Sequence, residues 1–197
     1  MRMRLAVAIF LAAVLRADDP TRVERPVSDW IAQLQAEDAG LRAEAVRALR
    51  AIGPDAPGVV EGLATALEDD SYRVRGEAAS ALLAAGAKAA PATKALAKAL
   101  RDLDAGVRTC AAAALGKIGE PALPAAEALA DAMGDAEPSV QLAACATLDD
   151  LPLATEKRVG FAARAIESPY SGVRGWGLRL IGEIGERAKG AEPLLVK

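Results

Sequence analysis

The sequence contains no histidine, so it lacks the side chain that most often shuttles protons near neutral pH and that most often binds metal ions. It also lacks a phosphate-binding glycine loop, a dinucleotide fingerprint, and a serine or cysteine nucleophile beside a candidate base. These absences argue against an enzyme and against a bound cofactor or metal. Aromatic residues make up 3% of the chain, and the 52% that is apolar is mostly Ala and Leu. That composition suits closely packed helices and disfavours sheet.

Basic residues are not in surplus either. Lys and Arg number 24 against 27 Asp and Glu, a net charge of −3. Loss of residues 1–17 would remove Arg2, Arg4 and Arg16 and no acid, which takes −3 to −6. A chain of that sign lacks the basic stripe needed to neutralise phosphates, so nucleic acid is not an expected partner. Only two cysteines occur, Cys110 and Cys145. They fall at different positions of the repeat described below and point to different helix faces, so they read as small half-buried hydrophobes and not as a disulfide.

A long hydrophobic run is missing as well. Leu5 to Leu15 is uninterrupted but only 11 residues long, about 16 Å as a helix and roughly half a bilayer core, so no stable membrane span is expected. After the basic start Met1-Arg2-Met3-Arg4, and with Ala17 as an acceptable last residue, residues 1–17 read as a secretory signal peptide. Leu15 and Arg16 fit the cleavage site poorly, and an uncleaved interfacial anchor or a misassigned start codon are the alternatives. Export to the periplasm or the outside follows from the signal reading, and a cytoplasmic location from its failure. Residues 18–27, charged and carrying Pro20 and Pro26, read as a linker.

What the chain has in abundance is a period of 33 residues. Arg42, Arg75, Arg108 and Arg174 share one column, with Gln141 in the fourth place, and Leu41, Val74, Val107, Val140 and Val173 precede them. Leu49, Leu82, Leu115, Leu148 and Ile181 form another column. Gly53, Gly86, Gly119 and Gly185 form a third, broken by Pro152. A fixed period of this length is the signature of a helical solenoid, in which each unit buries its core against its neighbours.

The predicted architecture is all-α: a superhelix of about five two-helix units, near 28–56, 57–89, 90–122, 123–155 and 156–188. At about 10 Å per unit the array is roughly 50 Å long. In the first unit Ser28 is the expected N-cap and Trp30, Ile31 and Leu34 form the stripe of the first helix. Leu41, Ala45, Val46, Leu49 and Ile52 are the inner side of the second, which Gly53-Pro54 ends. Gly172 to Gly177 falls in the second-helix register of unit five and reads as helix. Asp102 to Gly106 reads as a capped turn, since the remaining ligands of a calcium loop are missing. Residues 191–197 begin a further, incomplete unit. An array without a polar cap exposes apolar surface there, a route to self-association or to stacking in a larger assembly.

The run Asp104-Ala105-Gly106-Val107-Arg108, then Ala111-Ala112 and Leu115-Gly116-Lys117-Ile118-Gly119, resembles the HEAT repeat, of the armadillo-like helical class. In particular it is similar to the short HEAT-like repeats also found in phycocyanobilin lyases. The resemblance covers residues 28–190 and implies a scaffold or adaptor for another protein; tetrapyrrole handling and a purely structural stacking role are the alternatives it leaves.

Within that frame Ala45, Ala78, Ala111 and Ala144, with Gly177, let helix axes approach. Arg42, Arg75, Arg108, Gln141 and Arg174 are expected to form a structural ladder. Each would reach turn carbonyls or an acid four places before it, Asp38, Asp104 or Glu137, with Asp70 offset by one. An anion-binding row is the rival reading. The uncharged Gln141 marks unit four as the least tightly tied.

The candidate partner-binding face is that of the second helices, with exposed columns Glu44, Glu77, Cys110, Ala143, Trp176 and Arg47, Ser80, Ala113, Ala146, Arg179. Trp176 would anchor a bound peptide or helix and Arg179 would supply a charge; packing of Trp176 within its own unit is the other reading. Trp30, Tyr72 and Tyr170 are expected to be structural.

Overall fold

The computed structural model describes residues 25–187. The signal segment, most of the linker and the incomplete further unit at 191–197 lie outside the described residues. Ten α-helices run α1 Val27–Gln33, α2 Ala39–Ile52, α3 Val59–Ala66, α4 Tyr72–Ala85, α5 Thr93–Ala99, α6 Ala105–Ile118, α7 Ala126–Ala132, α8 Pro138–Asp150, α9 Thr155–Ile166 and α10 Ser171–Arg187. Among the described residues there is no strand. The helices form five pairs, and each second helix packs on the second helix of the unit before it. The chain is an α-solenoid.

Local chemistry accounts for the boundaries. Asp38 and Asp104 cap α2 and α6, their carboxylates accepting from Leu41 N and Val107 N at 2.9 Å each. Pro138 opens α8, where its missing N–H costs nothing. The glycine column exists because Gly53, Gly86 and Gly119 take φ of 96°, 59° and 76°, values that side chains with a Cβ resist. Pro152 can replace them because α8 leaves through an extended Leu151 instead. Gly185 stands in the column but ends nothing, and α10 runs on to Arg187. After α4 and α6 the chain makes tight 3-10 turns, Gly86–Ala92 and Glu120–Ala125, which hold Pro91 and Pro124.

The first helix begins earlier than Ser28: Pro26 precedes it, Ser28 lies in its first turn, and Ser28 caps nothing. Trp30 is buried as expected and receives the Arg25 guanidinium on its ring, 4.3 Å from the centroid.

The core is one continuous layer of Leu and Ala. Ala45, Ala78, Ala111 and Ala144 are all buried without remainder, as are Leu49, Leu82 and Leu115. Gly177 shows why the fifth member is smaller still. A Cβ there would lie 2.8 Å from the Ala162 carbonyl oxygen and 2.9 Å from Ala165 Cβ, so α9 and α10 touch at backbone distance. Leu41 and Ile52 depart from expectation. They are 46% and 40% exposed, whereas Val74, Val107 and Val140, and Ile118 and Leu151, are buried in the same columns. In the Leu41 column, Val107 lies against Gly76 of the preceding unit, 4.0 Å from its Cβ position, and among the described residues no unit precedes that of α1 and α2.

Candidate functional site

The Arg column reaches the turn carbonyls as expected, but its acid partners differ from those expected. Arg42, Arg75 and Arg108 each donate through Nη1 to two carbonyls of their own turn: Ala36 and Glu37, Asp69 and Asp70, Asp102 and Leu103. The acid each one grips lies 27 residues ahead, in the turn of the next unit. Arg42 pairs with Asp69, Arg75 with Asp102 and Arg108 with Asp135, each through Nε and Nη2 at 2.6–2.9 Å. Arg42 Nη2 also reaches Asp70. Asp38 and Asp104 are occupied instead as helix caps, where geometry serves a backbone N–H better than a guanidinium. The column therefore links units to each other and does not merely brace each turn.

The three acids are held from both sides. Asp69, Asp102 and Asp135 accept Ser71 N, Asp104 N and Glu137 N at 2.8 Å. Burial alone would push the carboxyls of Asp69 and Asp102 up, but the Arg and backbone hydrogen bonds outweigh it and hold both below the usual range. At Asp135 the Arg108 hydrogen bond is the largest influence and acts in the same direction. The three arginines are raised, first by those same hydrogen bonds. Both charges of each of these three rungs are engaged with each other.

The ladder stops between units four and five. Gln141 donates from Nε2 to the Asp135 carbonyl at 2.6 Å and reaches nothing ahead of it. The residue 27 positions on is Ser168, not Asp. Arg174 donates to the Ser168 and Pro169 carbonyls at 2.9 and 2.7 Å. Both ends of one rung have been replaced together, and beside it α8 and α10 part to form a cleft of about 690 Å³.

Leu142, Cys145, Ala146, Asp149, Val173, Trp176 and Arg179 are among the residues lining that cleft. Leu142 is 72% exposed. Trp176, expected at the surface, is only 8% exposed. It packs with the core and also lines the cleft, which agrees with the reading that places it within its own unit. Trp176 Nε1 and Asp149 Oδ1 are buried and have no hydrogen-bond partner among the described residues. Asp149 Oδ2 accepts from Arg179 Nη2 at 2.5 Å, and Arg179 Nη1 donates to Glu183 at 2.6 Å. The Cys145 thiol is pushed up to about 11, by burial first and then by Asp149, with Arg179 opposing. That favours the thiol over the thiolate near neutral pH.

The other face residues divide by place. Glu77, Ser80 and Cys110 line a shallower depression of about 400 Å³ between α4 and α6, together with Tyr72. Tyr72, the first residue of α4, is exposed. Burial raises the Cys110 thiol too. Arg47 pairs with Glu77 at 3.6 Å. Ala113 and Ala143 are half-buried, and neither they nor Glu44 and Arg47 line either depression. Both cysteines are free.

The sequence reading missed the Asp69, Asp102 and Asp135 column, although its signal is plain: three acids at the 33-residue step, each six places before the next column residue. It also missed Leu142, whose column is otherwise small. Among the described residues no group of three or more His, Cys, Asp or Glu side chains converges to hold a metal ion. No described helix is long and apolar enough to cross a membrane.

The HEAT repeats family model matches residues 27–93. No curated protein matches the chain. Among solved structures, an engineered protein is similar over 81% of this chain and 79% of its own, at 24% identity and a TM-score of 0.60. The complex of CpcE and CpcF of phycocyanin lyase from Nostoc sp. PCC7120 is similar at 25% identity and a TM-score of 0.55, over 80% of this chain and 64% of that one. A designed armadillo repeat protein in complex with the peptide (KR)4 is similar at 18% identity and a TM-score of 0.58, over 79% and 80%. The family match falls on the first two units, and the helix pairs continue the same two-helix unit through α10, so the chain is an α-solenoid similar to HEAT and armadillo repeat proteins.

Proposed function

We propose that the chain is a non-enzymatic scaffold that binds another protein on the second-helix face, in the cleft between α8 and α10. The observation that carries this reading is the coincidence of the broken rung with the cleft. Where Arg and Asp would clamp two units together, Gln141 and Ser168 stand, and the exposed Leu142 and the largely buried Trp176 both line the cleft. A volume of about 690 Å³ is within the range of clefts that accept a side chain or short peptide.

The occupant is a peptide segment that places an apolar side chain against Leu142 and Trp176. The polar rim of the cleft is the Arg179–Asp149 pair, at 2.5 Å. The designed armadillo protein bound to a peptide and the CpcE–CpcF pair are precedents for protein binding by similar arrays. Tetrapyrrole handling draws less support, since the middle of the face carries Cys110, Ala113, Ala143 and Ala146 and no acid–base pair. Export through residues 1–17 belongs to the same proposal and would place the partner outside the cytoplasm.

Panning of a displayed peptide library against the wild type, with Leu142→Asp and Ala146→Arg as counter-targets, tests the reading. Selected peptides should share a large apolar residue and should bind both variants at least about tenfold more weakly. Peptides that bind all three proteins alike would refute the cleft as the site.

A further inference from the structure

We infer that the peptide held in the cleft between α8 and α10 runs on along the second-helix face and seats an acidic side chain in the depression between α4 and α6, beside Arg73. The inference rests on the cleft reading above and specifies the partner's chemistry. The two hollows occupy the same place in the repeat. Gly76 and Cys110 in the depression stand 66 positions, two steps of the period, before Leu142 and Trp176 in the cleft. A segment that follows the second helices in one register meets both.

Between the hollows the same two columns hold only the small Thr109 and Ala143. Thr109 Oγ1 donates to the Ala105 carbonyl at 2.8 Å, so in its 3.2 Å hydrogen bond with Ser139 the serine is the donor. The exposed Ser139 hydroxyl then keeps its lone pairs for a peptide N–H. An extended segment carries such N–H groups all along its length, whereas a helix has spent those of its middle on itself. With units about 8–10 Å apart and about 3.3 Å per residue of extended chain, roughly five or six residues separate the two anchors.

Charge selects the second anchor. The acids that line the depression are already engaged: Glu77 pairs with Arg47 at 3.6 Å, and Asp104 accepts Val107 N at 2.9 Å as the cap of α6. Its cations are not. Arg73 lines the depression, is exposed, and joins no ion pair among the described residues. Arg50 reaches from α2 to the lining Ser80 Oγ at 3.4 Å and likewise has no carboxylate within ion-pairing distance among the described residues. Two guanidiniums without a carboxylate of their own thus flank the depression, and a carboxylate side chain is what they fit. Acids farther off than about 8 Å are screened at physiological salt, so the net negative charge of the chain does not oppose this local contact. In the cleft, by contrast, Arg179 is already held by Asp149 and Glu183, and the anchor there is apolar.

Fluorescein-labelled peptides from the panned library, followed by anisotropy against the full chain and its Leu142→Asp, Arg73→Gln and Arg73→Glu variants, test the inference. Arg73 is exposed, and unchanged far-UV circular dichroism confirms that each variant folds. The selected peptides should carry Asp or Glu roughly five or six residues from their large apolar residue. Arg73→Glu should weaken them about fivefold and Arg73→Gln less, with both losses shrinking as salt is added. Changing the peptide acid to Lys should recover affinity on Arg73→Glu and on no other protein of the set. Peptides weakened by Leu142→Asp but indifferent to Arg73→Glu overturn this inference and leave the cleft standing. So do peptides that bind Arg73→Glu more tightly, which would make the second anchor a cation, and so does a separation of about 13 residues, which would make the segment a helix. Peptides indifferent to Leu142→Asp, or a library that yields none, overturn the cleft reading and this one with it.

Discussion

Arg108 in the third unit grips Asp135 in the fourth through two hydrogen bonds, Nε to Oδ2 at 2.7 Å and Nη2 to Oδ1 at 2.8 Å, while Nη1 holds its own turn. The next rung has neither charge: Gln141 stands for the arginine and Ser168 for the aspartate. A single side chain thus fixes both the shape of a turn and the distance to the next one, and where it is missing the helices part.

Restoring the missing rung should act only as a pair. Gln141→Arg and Ser168→Asp are each expected to be neutral or destabilising, since each alone leaves a charge without its mate. Together they should show a coupling energy of about 1 kcal/mol in a double-mutant cycle followed by urea unfolding. The double variant should also narrow the cleft and weaken peptide binding. Additive effects of the two changes would mean that the absent ion pair is not what separates α8 from α10.

Breaking an existing rung should cost more. Asp102→Asn keeps the shape but removes the charge that Arg75 grips at 2.6 and 2.9 Å, and a loss of about 1–3 kcal/mol is expected, within the range for hydrogen bonds to charged groups. Unfolding of Asp38→Asn, a cap and not a rung, offers the comparison: Asn caps nearly as well as Asp, so that change should be small.

Acid should weaken the fold through the same three carboxylates. Asp69, Asp102 and Asp135 have pKa values lowered in the folded state, so their stabilisation is complete above the unfolded value of about 3.9 and is lost as pH falls through the folded values. Melting temperature followed downward from about pH 7 should hold level until near pH 4 and then fall. In Asp102→Asn the acid slope should be shallower. An equal slope in both proteins would remove the ladder from the account of acid unfolding.

Two glycines of α10 should respond in opposite directions. Gly177→Ala forces a Cβ to within 2.8 Å of the Ala162 carbonyl oxygen and should destabilise by about 1–3 kcal/mol as an overpacked contact. Gly182 has nothing within 4 Å of its Cβ position, and Gly182→Ala should gain about 0.5–1 kcal/mol of helix propensity. Thermal melts of the two variants side by side decide the matter.

Much of this was legible in the 33-residue columns because a solenoid repeats its packing. Ala at 45, 78, 111 and 144 and Leu at 49, 82 and 115 sit where their spacing puts them. Exposure at the ends was not legible from a column, since Leu41 and Val107 share a position and differ only in having a neighbour. The direction of the Arg ladder escaped for a related reason. An acid four places away in sequence competes with one 27 places away in space, and only the stacking of turns decides between them. For Trp176 the sequence left two depths open, at the surface or packed within its own unit, and the structure buries it, because the parting of α8 and α10 is a property of two units together.

The measurement that bears most directly on the proposed function is amide NMR of the labelled chain titrated with a library-selected peptide. Shift changes centred on Leu142, Cys145, Ala146, Trp176 and Arg179, with the Trp30 indole unmoved, are the predicted result. Changes centred instead on the depression between α4 and α6, or on the end residues Leu41 and Leu178, would contradict it.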